Sequence, residues 1–284
     1  MNASIADLAK VIHSIQNYDR HQKYNKSEYK YQANILDNTI PRVTEILSSV
    51  RDQNGLIQWA ASINYKQYMN IRNSSTNIGT IVHEGIGHNL ERYLGIRVPN
   101  DIFQIEQVNP VVAMHYEYEI MTALNNFDSW LTVFTQQGYR INKLYGLEVP
   151  IMTPLYGGTA DAIVDINGWK YILDFKTSKK ISYEYILQVV AYMMGYNEYI
   201  AKSPEEYVVG VGIIRVDKNR ENVFDDLFMN IYHPYIEEYK LCFLSSLETY
   251  YRIISTNRYT SDYMTLYNND PVILKQQFEK PPNE

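Results

Sequence analysis

Cysteine is almost absent from this 284-residue chain. The single thiol, Cys242, excludes an intramolecular disulfide framework, a four-cysteine zinc site and an iron–sulfur cluster held by four cysteines. A reducing setting fits that usage. Long apolar runs are missing as well, and nothing approaches the ~18 uninterrupted apolar residues of a membrane span. The opening residues, MNASIADLAKVIHSIQNYDR, hold neither a signal-peptide core nor a cleavage site, so a cytoplasmic location without a membrane partner is expected. No G-x-x-x-x-G-K-[ST] loop or other phosphate cradle occurs, which argues against a nucleotide cofactor or a fused motor. No Pro/Gly/Ser-rich linker and no internal repeat divides the chain. Basic excess is lacking too: Lys+Arg is 26 and Asp+Glu is 32, a net charge of −6. A histone-like polyanion binder is excluded.

What is present is an ordinary globular composition, 45% hydrophobic, long enough for one large domain or two small ones sharing a core. Tyrosine outnumbers phenylalanine 27 to 8. AT-rich codon usage explains that excess, with base-stacking rings as the functional alternative. Charge is unevenly placed: residues 1–100 carry 11 basic and 8 acidic side chains, whereas 101–150 carry 2 and 6. The basic third includes Arg42, Arg51, Lys66, Arg72, Arg92 and Arg97.

The pattern predicts helices in the first half. They are PRVTEILSSV, with Pro41 in its first turn; GLIQWAASINYKQYM, with Leu56, Trp59, Ala60 and Ile63 on one face; GTIVHEGIGHNLERYLG, closed by Gly95; and VVAMHYEYEIMTALNNFDSWLTVFTQQ, ended at Gly138. Three β-like runs follow, KLYGLEVPI, YGGTADAIVDI and WKYILDFKT, the last two joined by Asn167-Gly168, a strong hairpin signal. A helix (SYEYILQVVAYMMGYNEYI), an apolar strand (EYVVGVGIIRVD) and a terminal helix complete the order. The expected class is α/β or α+β around a small mixed sheet. Residues 1–138 form a helical portion, 139–216 the sheet and its helix, and 217–284 a helical end whose tail, QQFEKPPNE, looks disordered, all in one continuous unit.

Within the sheet, Asp174 and Lys176 share one strand face with Phe175 opposite. Counting outwards from the Asn167-Gly168 turn brings Asp161 beside Asp174. Two carboxylates and an ammonium would then meet, and hard oxygen donors suit Mg²⁺ or Mn²⁺. For an isolated D-x-K, a structural Asp–Lys pair is the commoner outcome. An otherwise apolar strand makes that face costly unless a metal neutralises it. Gln188 and Tyr192 lie at i, i+4 on the following helix. HEGIGH is no zinc-protease motif, because its histidines are five apart rather than four; His88 is expected at the surface or behind the site.

Four blocks in order, GTIVH, GGTAD, DFK and QVVAY, together resemble the RecB-type exonuclease branch of the PD-(D/E)XK nuclease superfamily. The resemblance covers roughly residues 40–200. PRVTEIL and the Trp59 helix look like segments that precede the histidine block in relatives such as the mitochondrial genome maintenance exonuclease. The lone cysteine departs from the iron–sulfur members, including the CRISPR-associated RecB-like exonucleases, so no cluster is expected.

The resemblance implies a restriction-endonuclease-like core and a metal-dependent deoxyribonuclease. It implies His83, Asp161, Asp174 and the Phe175 carbonyl as ligands of one or two Mg²⁺ or Mn²⁺ ions. Lys176 would act on the attacking water and the scissile phosphate, and Gln188 and Tyr192 would fix the lysine and the substrate backbone. Arg42, Thr80 and Thr177 are further expected substrate contacts. Glu148 is either an additional acid or an exposed strand-end charge. The expected partner is DNA, single-stranded or with free ends, in the replication, recombination or DNA processing of a phage or bacterium, alongside host or phage replication proteins. A structure-specific or RNA endonuclease on the same core, and a silent nuclease-fold binding module, are the alternatives.

Overall fold

Asn167 and Gly168 both adopt left-handed φ, 52° and 89°, the conformation that a two-residue hairpin turn needs to match the twist of its strands. The computed structural model describes residues 5–6, 40–50, 58 and 61–269. In chain order its elements are α1 (Val43–Val50), α2 (Tyr65–Tyr93), α3 (Ile105–Val108), α4 (Pro110–Gln136), β1 (Ile141–Met152), β2 (Gly157–Ile166), β3 (Trp169–Lys176), α5 (Tyr183–Tyr199), β4 (Gly210–Val216), β5 (Phe224–Asn230) and α6 (Ile236–Asn269). The strands form one mixed sheet in the order β1-β2-β3-β4-β5. Only β3 and β4 run parallel, joined through α5 as a parallel pair requires. The fold is α+β, as the element order predicts.

Alternation along the strands gives the sheet two apolar faces. Ile163, Ile172, Val211 and Ile213 pack under α1, α5 and α6. Ala162, Val164, Leu173, Phe175 and Ile214 pack under α2 and α4. No helix among the described residues is long and apolar enough to cross a membrane.

Three expectations change. First, the histidine block does not open its helix. α2 begins at Tyr65, so Gly79 and Thr80 lie in mid-helix. Asn64 starts it through a capping box: its side chain accepts from the Gln67 amide at 2.9 Å while the Gln67 side chain accepts from the Asn64 amide. Second, Ile63 therefore precedes this helix rather than belonging to one over 55–69; Leu56, Trp59 and Ala60 lie outside the described residues, as do Arg51 and the 276–284 tail. Third, the portion after residue 217 contributes a strand, β5. FDDLFMN alternates poorly, with exposed Asp225 and Asp226 adjacent. Tertiary contacts hold it instead: the Trp130 indole donates to Asp226 at 2.8 Å, and Phe228 stacks on Phe134.

Candidate metal and catalytic site

The ladder between β2 and β3 pairs Ala162 with Leu173, and one step further it sets Asp161 opposite Asp174. On the other side β1 pairs Leu147 with Ala162 and Val149 with Ala160, which sets Glu148 opposite Asp161. Three carboxylates therefore cross three neighbouring strands in one row. Glu148 adopts φ 47°, a left-handed conformation that a side chain bears at a cost and that clusters at functional sites. His83 of α2 completes the corner, with Nδ1 3.4 Å from Asp161 Oδ2. Ligand atoms of His83, Glu148 and Asp161 all lie within 4.8 Å of one another.

Asp174 is not part of that close group. It is buried, 1% exposed, and Lys176 Nζ stands 2.6 Å from its Oδ2. That ammonium holds Oδ2 as an ion pair, while Oδ1 is buried with no hydrogen-bond partner. Asp161 differs: its Oδ2 accepts from the Phe175 amide at 2.6 Å. The Phe175 ring points to the other face, against Phe127 and the edge of His83.

The titration of these groups follows from burial and from each other. Burial pushes the Asp174 carboxyl up to about 6, against the pull of Lys176. Burial would raise Asp161 too, but His83, by charge and hydrogen bond, holds it below the usual carboxylate range. Burial works against the His83 cation, and Asp161 outweighs it, so the imidazole is raised. Lys176 is likewise raised, since Asp174 and Asp161 overcome its desolvation. Glu148 is raised by partial burial and by the neighbouring Asp161 charge. The close group of His83, Glu148 and Asp161, an imidazole and two carboxylates, is a donor set that a hard divalent cation would fit.

No protein-family model and no curated protein matches this chain.

The remaining expected residues fall into two groups. Gln188 Nε2 donates to the Tyr192 hydroxyl at 3.0 Å, and burial pushes that phenol up to about 12. Thr80 lines the cleft beside His83, but its hydroxyl donates to the Thr76 carbonyl of its own helix. Thr177 follows Lys176 directly and lies close to Gly79 of α2. Arg42 is exposed and pairs through its backbone with Gly157, at the start of β2 and four residues before Asp161. Among the described residues no hydrogen bond or ion pair joins it to the carboxylate row. His88 is not a surface residue: it is 9% exposed, with Nε2 3.4 Å from Asp101 and its ring against Phe103.

One neighbour escaped the sequence reading. The Lys176 ammonium stands 5.0 Å from the centre of the Tyr185 ring, near enough for a cation–π contact. Its signal was available, because Tyr185, Gln188 and Tyr192 fall at i, i+3, i+7 of α5.

Gly158 sets a second constraint. A Cβ there would come 2.4 Å from Tyr192 Cε1 and 2.7 Å from its hydroxyl, so a side chain must displace the ring that Gln188 holds. Gly158→Ala is therefore expected to destabilise the fold by about 1–3 kcal/mol, the usual cost of overpacking a filled core. A melting temperature equal to wild type would show that the Tyr192 ring is not held in this position.

Proposed function

We propose that the protein is a metal-dependent deoxyribonuclease of the PD-(D/E)XK superfamily, in its RecB-type exonuclease branch. Its substrate would be single-stranded or frayed-end DNA in replication, recombination or DNA processing. The observation that carries this reading is the row Glu148–Asp161–Asp174 across three strands, with His83 against Asp161 and Lys176 against Asp174.

In this reading His83, Asp161 and Asp174 hold the ion, with the Phe175 carbonyl and Glu148 as further donors. When bound, one or two Mg²⁺ or Mn²⁺ ions lower the pKa of a bound water and offset charge on the phosphate. The chain's own residues do the rest. Lys176 is raised, so at neutral pH it stays an ammonium. It therefore serves as a cation and donor to the water and a non-bridging phosphate oxygen, rather than as a base. Tyr192 accepts from Gln188 and keeps its own proton, which is free to donate to the DNA backbone. Water's oxygen joins phosphorus as the bridging P–O bond breaks in line, with no covalent enzyme intermediate.

The test is incubation with end-labelled linear single-stranded, linear duplex and circular DNA, with Mn²⁺ or with EDTA. Mononucleotide release from linear DNA in Mn²⁺ only is the expected result. Nicking of circles would move the assignment to an endonuclease, and binding without cutting would remove the enzyme reading.

A further inference from the structure

The basic third of the sequence does not act as one surface. Arg97 is bound by Glu91 and Asp101, and Arg92 faces Asp128 at 3.7 Å. Lys66 and Arg72 are different. Both lie in the first half of α2, are exposed, and make no ion pair among the described residues. From Tyr65 to His83 that helix contains no Asp or Glu, and its exposed residues are amides, hydroxyls and cations beside Tyr65 and Ile71. None of its residues before Ile78 is buried; from there it leads to the imidazole of the candidate metal site.

Its periodicity is directional. Arg72, Thr76, Gly79 and His83 fall at i, i+4, i+7, i+11, one line along the helix. At 1.5 Å per residue, Arg72 stands about 16 Å and Lys66 about 25 Å from His83. Tyr65, 76% exposed, offers a ring at the far end. Beyond His83 the electrostatics reverse. A cleft of about 1180 Å³ continues from the site, lined by Glu84, Glu91, Asp101 and Glu148, and its one arginine is the neutralised Arg97. A polyanion is favoured on one side of the site and opposed on the other.

Resting on the nuclease reading for its substrate class, we propose that the exposed first half of α2 holds single-stranded DNA by its phosphates, on one side of the site only. Lys66 and Arg72 are the two charge contacts, and Tyr65 is a stacking surface. A strand held in this way presents an end to the metal, and the acidic cleft opposes its running on past the site.

The experiment measures equilibrium binding of a fluorescein-labelled 20-nucleotide oligo-dT in EDTA, so that holding is read apart from cutting. Lys66→Glu with Arg72→Glu should raise Kd by about tenfold or more. The slope of log K against log salt should become shallower by about 1.4 or more, since losing two single-strand phosphate contacts alone accounts for that value and the new carboxylates add repulsion. Lys240→Glu on α6, whose partner is Glu237, should leave both values at wild type. Unchanged Kd and slope in the double variant, or an equal loss in Lys240→Glu, would overturn the proposal. Wild-type binding that depends on Lys66 and Arg72 but is never followed by cutting would support this surface and defeat the nuclease reading instead.

Discussion

Under the proposed nuclease reading, Asp174→Ala is expected to abolish DNA hydrolysis, and Lys176→Ala to reduce it by about a hundredfold to a thousandfold, the scale for losing a preorganised electrostatic group. The two variants should then part company. Under the proposed metal site Mn²⁺ should raise the melting temperature of the wild type, and removal of the Asp174 carboxylate, buried beside that site, should erase the rise. Lys176 is no ligand in this arrangement, and its variant should retain that rise while failing to cut. Thermal unfolding with and without Mn²⁺, next to turnover of labelled single strands, checks both. If Asp174→Ala still cuts at the wild-type rate, the site has been misplaced.

The second large effect is on pH. Metal binding must displace any proton on its ligands. Asp174, pushed up to about 6 by burial, is free to bind above that value and protonated below it. Through Asp174 alone, Mn²⁺ affinity should therefore fall about tenfold per unit below 6. His83 adds to the slope in the same direction. Its pKa is raised by Asp161, so it too carries a proton that the ion must displace as pH falls. Asp161 contributes little there, because His83 holds it below the usual carboxylate range. The fall through pH 6 should thus be steeper than one proton allows. Calorimetric titration of the metal-free protein with Mn²⁺ at pH 5, 6 and 7.5 measures it, with proton release read from buffers of different ionisation enthalpy. A Kd unchanged between pH 5 and 7.5 would mean that neither group is a ligand.

How the site is assembled accounts for what could be read early. Local rules located the pieces: Asn167-Gly168 dictated the turn, and a turn of two residues dictates the register that brings Asp161 beside Asp174. The i, i+4 spacing of Gln188 and Tyr192 likewise became a hydrogen bond. Glu148 was legible only as one of two alternatives, because a bulge in β1 shifts its register by one between Leu144 and Gly146. No pattern in one strand announces how many residues its partner will skip.

The sequence by itself thus determined the fold class, the hairpin and the opposition of Asp161 and Asp174, since turn geometry and period-two alternation are local. Only the tertiary structure decided which charges remain available. The arginines of the basic third look alike in sequence, yet Arg92 and Arg97 are met by acids from elsewhere in the chain while Arg72 stands clear. It also decided that α2 starts at Tyr65, where no apolar period marks a helix, and that β5 exists, because Trp130 and Phe134 of α4 hold its side chains. Pairing between distant residues depends on where the backbone carries them, and residue type alone does not contain that.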